Sequence, residues 1–131
     1  DRQKLRFKTQ QNPDDPIESI VSERDQKFIE RLNQLVEKNY ADSEFCVEKL
    51  VDSIAMSERQ LQRKLKALFN QTPAEYIRNY RLLKAKELLI EGKSISLTSD
   101  LVGFNSSSYF SRSFKTAFGQ SPKEFITQSP K

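Results

Sequence analysis

The sequence contains the same segment twice. Residues 57–77 (SERQLQRKLKALFNQTPAEYI) align without a gap onto residues 106–126 (SSSYFSRSFKTAFGQSPKEFI), at an offset of 49. Most paired positions keep their class, and eight are identical: Ser57/Ser106, Arg63/Arg112, Lys66/Lys115, Phe69/Phe118, Gln71/Gln120, Pro73/Pro122, Glu75/Glu124 and Ile77/Ile126. Any fold for this chain must therefore contain one supersecondary structure built twice.

Hydrophobic periodicity and capping residues predict about seven helices and an all-α fold. A hydroxyl residue followed by Pro and then by Glu at the third position occurs at residues 72–75 and again at 121–124, where it opens a helix. Gly92 and Gly119 end the helices before them. The predicted helices cover about residues 22–39, 47–54, 57–69, 73–91, 96–102, 106–118 and a short last stretch from Ser121.

The short second and fifth helices each lead through a tight turn into a longer helix, which is the helix-turn-helix pattern. Such a turn needs a residue with little or no Cβ; Gly103 supplies it in the second copy and Ala55 stands there in the first. Ser99 suits close helix packing better than Val51, so we expect the first copy to pack more loosely. A plain repeat of helical hairpins is the alternative.

Aromatic residues at helical spacing have two interpretations. Tyr76, Tyr80, Phe110, Phe114 and Phe118 would form either a stacking platform for single-stranded nucleic acid or part of the core. Their phase favours the core. On the fourth helix we expect the inward set to be Tyr76, Ile77, Tyr80, Leu83 and Leu88.

The residue types present exclude several functions. With no His and a single Cys46, the chain lacks the commonest metal ligand and general base, and no Ser/His/Asp or Cys/His triad is possible. We therefore predict no catalytic residue, no metal site, no cofactor and no enzyme activity. We expect Cys46, between Phe45 and Val47, to pack as a small hydrophobic residue in a reducing compartment, the cytoplasm.

Positive charge is concentrated in the middle of the chain. Residues 57–93 hold nine Lys and Arg against four Asp and Glu, whereas residues 1–56 hold nine against twelve. A localised basic surface favours a polyanionic partner, although many solvated helix faces are also basic.

We expect four segments along the chain: a linker from an upstream domain (1–21), a first helix-turn-helix subdomain (22–72), a linker helix (73–92) and a second helix-turn-helix subdomain (93–131). The first residue is Asp1 rather than Met, so we expect a piece of a longer protein. No apolar run reaches the roughly 18 residues of a membrane span, and no signal peptide is visible. We expect no membrane contact by this part, which leaves open a membrane anchor elsewhere in the full-length protein.

The second copy is similar to a known family signature. Its run Val102-Gly103-Phe104-Asn105-Ser106 continues through residues 109–115 (YFSRSFK) to residues 118–122 (FGQSP). Over about residues 25–129 the chain resembles the AraC/XylS family DNA-binding domain. Residues 56–61 (MSERQL) and 76–78 (YIR) resemble domains at the C-terminal end of hybrid two-component sensor-regulators. The chain departs from the family at Phe125-Ile126, where Tyr-Arg is usual, and at Thr98-Ser99, where an apolar residue precedes Ala.

The resemblance implies a transcription regulator that binds a specific sequence of double-stranded DNA. The linker helix, about 28 Å long from Pro73 to Glu91, would set two recognition helices into successive major grooves, since one DNA turn is about 34 Å. If that spacer cannot flex, the DNA must bend, at a cost of about 1–6 kcal/mol. Further implied partners are RNA polymerase and an upstream signalling or dimerisation domain.

Exposed positions near the start of each longer helix are the candidates for base contacts. They are Arg59, Gln62 and Arg63 in the first copy and Ser107, Ser108, Ser111 and Arg112 in the second. Arg matches a guanine edge and Gln an adenine edge, whereas Ser discriminates poorly, so we expect the first copy to read more sequence. A solvated helix face is the alternative, least for Arg63 and Arg112, which recur in register.

Phosphate contacts would position the protein. The candidates are Ser57, Lys64, Arg78, Arg81, Ser106 and Lys115. Two rival functions remain: a helical module that docks on RNA polymerase or another regulator without touching DNA, and a DNA-repair enzyme. The second would need a reactive Cys in an electropositive site, and Cys46 lies in the acidic part.

Overall fold

The computed structural model describes residues 22–128, which form seven α-helices and contain no strand. The helices are α1 Glu23–Asn39, α2 Val47–Ile54, α3 Glu58–Phe69, α4 Pro73–Ile90, α5 Ile95–Leu101, α6 Ser107–Phe118 and α7 Pro122–Gln128. The predicted all-α fold is confirmed, with boundaries close to those predicted. The predicted linker, residues 1–21, lies outside the described residues.

Two compact units make up the chain, residues 1–33 and residues 34–131, and each is described by itself. In the first, Ser22 Oγ accepts a hydrogen bond from Asp25 N at 3.0 Å, which is the predicted cap of α1. Phe28 and Leu32 of that helix are buried. The second unit contains α2 to α7, and the four-segment division drawn from the sequence stays a prediction.

Capping hydrogen bonds start the repeated helices where the sequence predicts. Ser57 Oγ accepts from Gln60 N at 3.1 Å, and Gln60 Oε1 accepts from Ser57 N at 3.3 Å. Thr72 and Glu75 exchange the same two bonds, at 3.1 and 2.9 Å. Ser121 and Glu124 do so again. Each box satisfies backbone donors that the start of a helix leaves unpaired, and replacing a capping hydroxyl by Ala costs about 1 kcal/mol.

Both predicted turns have the left-handed backbone that they need. Ala55 has φ +63° and Gly103 has φ +93°. Ser99 is buried against the second turn, and its hydroxyl donates weakly to Ser106 O at 3.4 Å. Val51, its counterpart in the first copy, stays partly exposed, in line with the looser packing expected there.

The long helix α4 is packed by both copies of the repeat. Helices α2 and α3 contact it on one side, and α5, α6 and α7 contact it on another. Around its first half lie the buried side chains Leu50, Ile54, Leu61, Leu65 and Ile77. Around its second half a core forms from Leu82, Ala85, Leu89, Val102, Phe104, Phe110 and Phe114. The aromatic residues at 110 and 114 are fully buried, as predicted.

The predicted inward face of α4 is partly wrong. Ile77 is buried, but Leu83 is 51% exposed, and the buried stripe further along consists of Leu82, Ala85 and Leu89. Five residues turn a helix by about 140°, so the second stripe lies on a different face from Ile77. The single periodicity read from the sequence fails because the two copies cover different faces of the same helix.

Cys46 does not pack as predicted. It is exposed, at the residue that caps α2, whereas its neighbour Phe45 is buried. The backbone at Cys46 is extended, with φ −146° and ψ 177°, so adjacent side chains point to opposite sides. Phe45 takes the inner side and leaves Cys46 in solvent.

Membrane crossing finds no support in the described helices. None of the helices within residues 22–128 has both the length and the apolar character that a bilayer-spanning segment requires.

We predict that Thr98→Val stabilises the protein. Within residues 22–128, the Thr98 hydroxyl is the buried side-chain polar atom that lacks a hydrogen-bond partner, and the residue is fully buried. Since such a group costs about 1–3 kcal/mol, the apolar isostere should raise Tm by several degrees in a thermal melt followed by circular dichroism. Thr116→Val, at an exposed helical position, is the matched control. An unchanged or lower Tm for Thr98→Val would contradict the prediction.

Candidate nucleic-acid interface

Helix α3 presents the three predicted base-reading side chains of the first copy on its outer face. It buries Leu61 and Leu65. Arg59, Gln62 and Arg63 are consequently all exposed. Gln62 Nε2 donates to Glu58 Oε2 at 3.3 Å one turn earlier, which orients the amide along the helix surface. The predicted set therefore lies together on one accessible surface.

Helix α6 does the same in the second copy. It buries Phe110, Ser113 and Phe114. Ser107, Ser108 and Arg112 are exposed, and Ser111 is half-buried. The Arg112 guanidinium carbon lies 5.9 Å from the centroid of the Tyr109 ring, so the ring helps to hold the cation in place.

The first turn of each of these two helices faces solvent at a capping serine. Ser57 Oγ accepts from Gln60 N, and Ser106 Oγ accepts from Tyr109 N at 3.0 Å. These caps use the oxygen as an acceptor, so the hydroxyl proton can still be donated to a phosphate. The partial positive charge of a helix N-terminus favours an anion at the same place.

A cleft of about 400 Å³ between α4 and α6 brings two predicted cations together. Arg78 and Asn79 line it from α4. Arg112 and Thr116 line it from α6, beside Tyr109. The sequence analysis named both arginines but missed Asn79 and Thr116. The available signal was the spacing of positions 109, 112 and 116, which share one face of a helix.

The remaining predicted phosphate contacts are placed less uniformly. Lys115 is exposed and Lys64 is half-buried. Lys66, which the repeat pairs with Lys115, is also exposed and belongs with these candidates although it was not among them.

Arg81 differs from the other predicted phosphate contacts because backbone carbonyls occupy its donors. Its Nε donates to Tyr40 O at 2.9 Å, and its Nη2 donates to Asp42 O at 2.9 Å and to Phe45 O at 3.3 Å. Burial lowers the pKa of this guanidinium from its usual range. A phosphate contact by Arg81 stays a prediction, and it would compete with these bonds.

One titratable cluster lies beside Arg81. Tyr80 donates to the Glu37 carboxylate, and Lys84 Nζ lies 3.1 Å from Glu37 Oε1. Burial acts to raise the pKa of Glu37, but the Tyr80 hydrogen bond and Lys84 outweigh it, so that pKa is lowered. An ionised carboxylate held in this way ties the end of α1 to α4. The described residues also contain no group of side chains suited to a metal ion.

Known proteins share this arrangement. A family model described as a helix-turn-helix domain matches residues 50–128. The chain is 35% identical over 111 residues to histidine kinase P4 of Formosa agariphila, covering 84% of this chain and 8% of that protein. It is 37% identical over 98 residues to the HTH-type transcriptional activator RhaS of Citrobacter koseri, covering 72% and 35%. The chain thus spans a small part of both relatives.

A solved structure supports the same likeness. The crystal structure of a transcriptional regulator of Chromobacterium violaceum, described as an AraC-type DNA-binding domain-containing protein, matches with a TM-score of 0.72 and 27% identity. The match covers 82% of this chain and 96% of that one.

We predict that Ser106→Asp weakens binding to duplex DNA without destabilising the fold. Asp caps a helix about as well as Ser, but its charge would lie beside a phosphate. Two like charges about 4 Å apart in water repel by about 1 kcal/mol, so affinity for a mixed-sequence duplex should fall about fivefold in fluorescence anisotropy. Ser94→Asp caps α5 in the same way, outside the recognition helices, and should leave affinity unchanged. Equal effects of both substitutions would contradict this placement of the phosphate.

Proposed function

We propose that this chain, which belongs to the AraC-type helix-turn-helix family, binds a specific sequence of double-stranded DNA and regulates transcription through it. The family consists of DNA-binding domains of transcription factors, which are not enzymes. Its two recognition helices would be α3 and α6. Helical packing without DNA contact, the main rival, explains the fold but not the position of the repeated cations.

The observation that carries the proposal is the pair Arg63 and Arg112. The two residues occupy the same position in the two copies of the repeat, and both are exposed on the outer face of a capped helix. Core packing has no use for a charge at either position. A guanidinium that binds a guanine edge through two hydrogen bonds does need this exposure.

The length of α4 supports two-site binding. Its 18 residues, Pro73–Ile90, span about 27 Å at about 1.5 Å per residue. One turn of DNA is about 34 Å, so a helix of this length can place α3 and α6 in successive major grooves on one face of the duplex.

The cleft between α4 and α6 suits the sugar-phosphate backbone. Arg78 and Arg112 line it together with the amide of Asn79 and the hydroxyl of Thr116. We infer that Arg112 reaches a base while Arg78 contacts phosphate beside it. Ser57, Lys64, Ser106 and Lys115 would position the two helices through further phosphate contacts.

The relatives favour a regulatory role within a longer protein. One is named a histidine kinase, and the chain covers 8% of it; the other is named a transcriptional activator, and the chain covers 35% of it. We propose that this chain is the output domain of a sensor-regulator in the cytoplasm, with an upstream signalling or dimerisation domain. RNA polymerase is a second proposed partner, since an activator must act on it.

The first test is a salt series of anisotropy titrations on duplex DNA, with wild type beside Arg63→Ala/Arg112→Ala. We expect a steep fall of affinity with salt for wild type. A bidentate contact is worth about 1–3 kcal/mol, so the double variant should bind a selected sequence at least about thirtyfold more weakly.

The control for that test removes two charges elsewhere. Lys38 and Lys93 are exposed and lie outside α3 and α6, so Lys38→Ala/Lys93→Ala changes net charge equally. It should keep the sequence preference. No salt-dependent binding by wild type to any duplex would refute the proposal and favour a protein-docking module.

The two recognition helices should read unequal amounts of sequence. Helix α3 offers Arg59, Gln62 and Arg63, whereas α6 offers serines around Arg112. Selection of binding sequences from a random library should give one strongly specified half-site and one weakly specified half-site. Gln62→Ala should relax a single position in the strong half-site, whereas Ser108→Ala should change little. Equal specification of both half-sites would contradict this asymmetry.

A further inference from the structure

The two helix-turn-helix copies touch each other directly, apart from sharing α4. The contact lies at Gly103, the turn residue of the second copy. A Cβ added there would lie 2.2 Å from Tyr40 O and 3.3 Å from Ala41 C. Both belong to the loop that leads from α1 into α2. The second turn therefore rests on the backbone that enters the first copy.

Arg81 of α4 holds the same loop from the other side. Its guanidinium donates to the carbonyls of Tyr40, Asp42 and Phe45, which span the whole loop. The Cβ position at Gly103 also lies 2.9 Å from Arg81 Nε. One half-buried side chain thus joins the loop, α4 and the second turn.

Two further contacts fix the loop in place. The Tyr40 ring packs against the core of the second copy, and it lies 5.6 Å from the Tyr80 ring, centroid to centroid. Glu37 is bound by Tyr80 and Lys84, one on either side of Arg81 in α4. The start of the first copy is therefore anchored in the core of the second.

Elsewhere the packing between the copies is open. A cleft of about 200 Å³ separates Phe45 and Val47 from Phe104 and Tyr109. Because apolar packing is incomplete there, the orientation of the copies depends on the hydrogen bonds and close backbone contact beside the cleft.

We propose that Tyr40, Arg81 and Gly103, here called the junction, are positioning residues that fix α3 relative to α6 and so set the half-site spacing that the protein accepts. The proposal rests on the proposed function, since spacing has meaning only for a two-site DNA reader. With the junction intact, the two recognition helices meet DNA as one rigid pair. Without it, α4 alone connects them.

The first test measures the distance between the recognition helices without DNA. Nitroxide labels at Lys66→Cys and Lys115→Cys, the paired exposed positions of α3 and α6, are placed in a Cys46→Ser background. Double electron–electron resonance should give a narrow distance distribution for this parent. Adding Arg81→Met, which keeps the length but removes the donors, should broaden it, and Arg81→Lys should restore it in part. An unchanged distribution for a folded Arg81→Met protein would overturn the proposal.

A second pair of variants separates the contact from backbone strain. Gly103 and Gly92 have nearly the same positive φ, +93° and +101°, but a Cβ at Gly92 meets nothing within 4 Å. Gly103→Ala and Gly92→Ala therefore impose similar strain, and only the first disturbs the junction. We expect broadening for Gly103→Ala alone. Equal distributions for the two variants would count against the junction.

The DNA arm uses the sequence selected by wild type, with one to five base pairs inserted between the half-sites. One inserted pair shifts a half-site by about 3.4 Å and rotates it by about 34°. We expect the wild-type affinity to fall about tenfold or more, because the DNA must deform to fit. Arg81→Met should lose most of this penalty and keep its affinity for an isolated half-site.

The two proposals fail in different ways. If wild type binds no duplex, the proposed function fails, while the label distances still decide whether the junction holds the copies together. If wild type binds DNA and Arg81→Met keeps the full spacing penalty, the junction proposal fails alone.

Discussion

Burial of α4 on two different faces is the constraint on which the rest of the structure depends. Ile77 faces α2 and α3, whereas Leu82, Ala85 and Leu89 face the core built by α5, α6 and α7. Neither copy of the repeat has enough apolar surface to form a large core alone, so each completes its core with α4. The shared helix thereby becomes the spacer between the two surfaces that would read DNA.

Much of this architecture was predictable because the decisive signals are local. The capping boxes at Ser57, Thr72 and Ser121 depend only on residues three apart, and the structure confirms each of them. The exposed positions of Arg63 and Arg112 follow from the apolar stripe of their own helices. Where a property belongs to one helix and its cap, sequence periodicity is sufficient.

The errors share a different origin. Leu83 was predicted inward because one phase was applied to all of α4, yet the two copies cover different faces. Cys46 was predicted to pack, but an extended backbone turned it outward beside Phe45. Arg81 was taken only as a charge for phosphate, and its bonds to Tyr40, Asp42 and Phe45 span about 40 residues of sequence. These features depend on tertiary contacts, which a periodicity of 3.6 does not contain.

The two turns show how equivalent positions of a repeat come to differ. Both Ala55 and Gly103 have positive φ, which disfavours a Cβ by about 1–2 kcal/mol. Ala55 is exposed, so this backbone strain is the whole cost and a methyl group fits. At Gly103 a methyl group would also collide with Tyr40 O, because this turn faces the other copy. The conformation alone therefore tolerates either residue, and the contact between the copies is what requires glycine in the second turn.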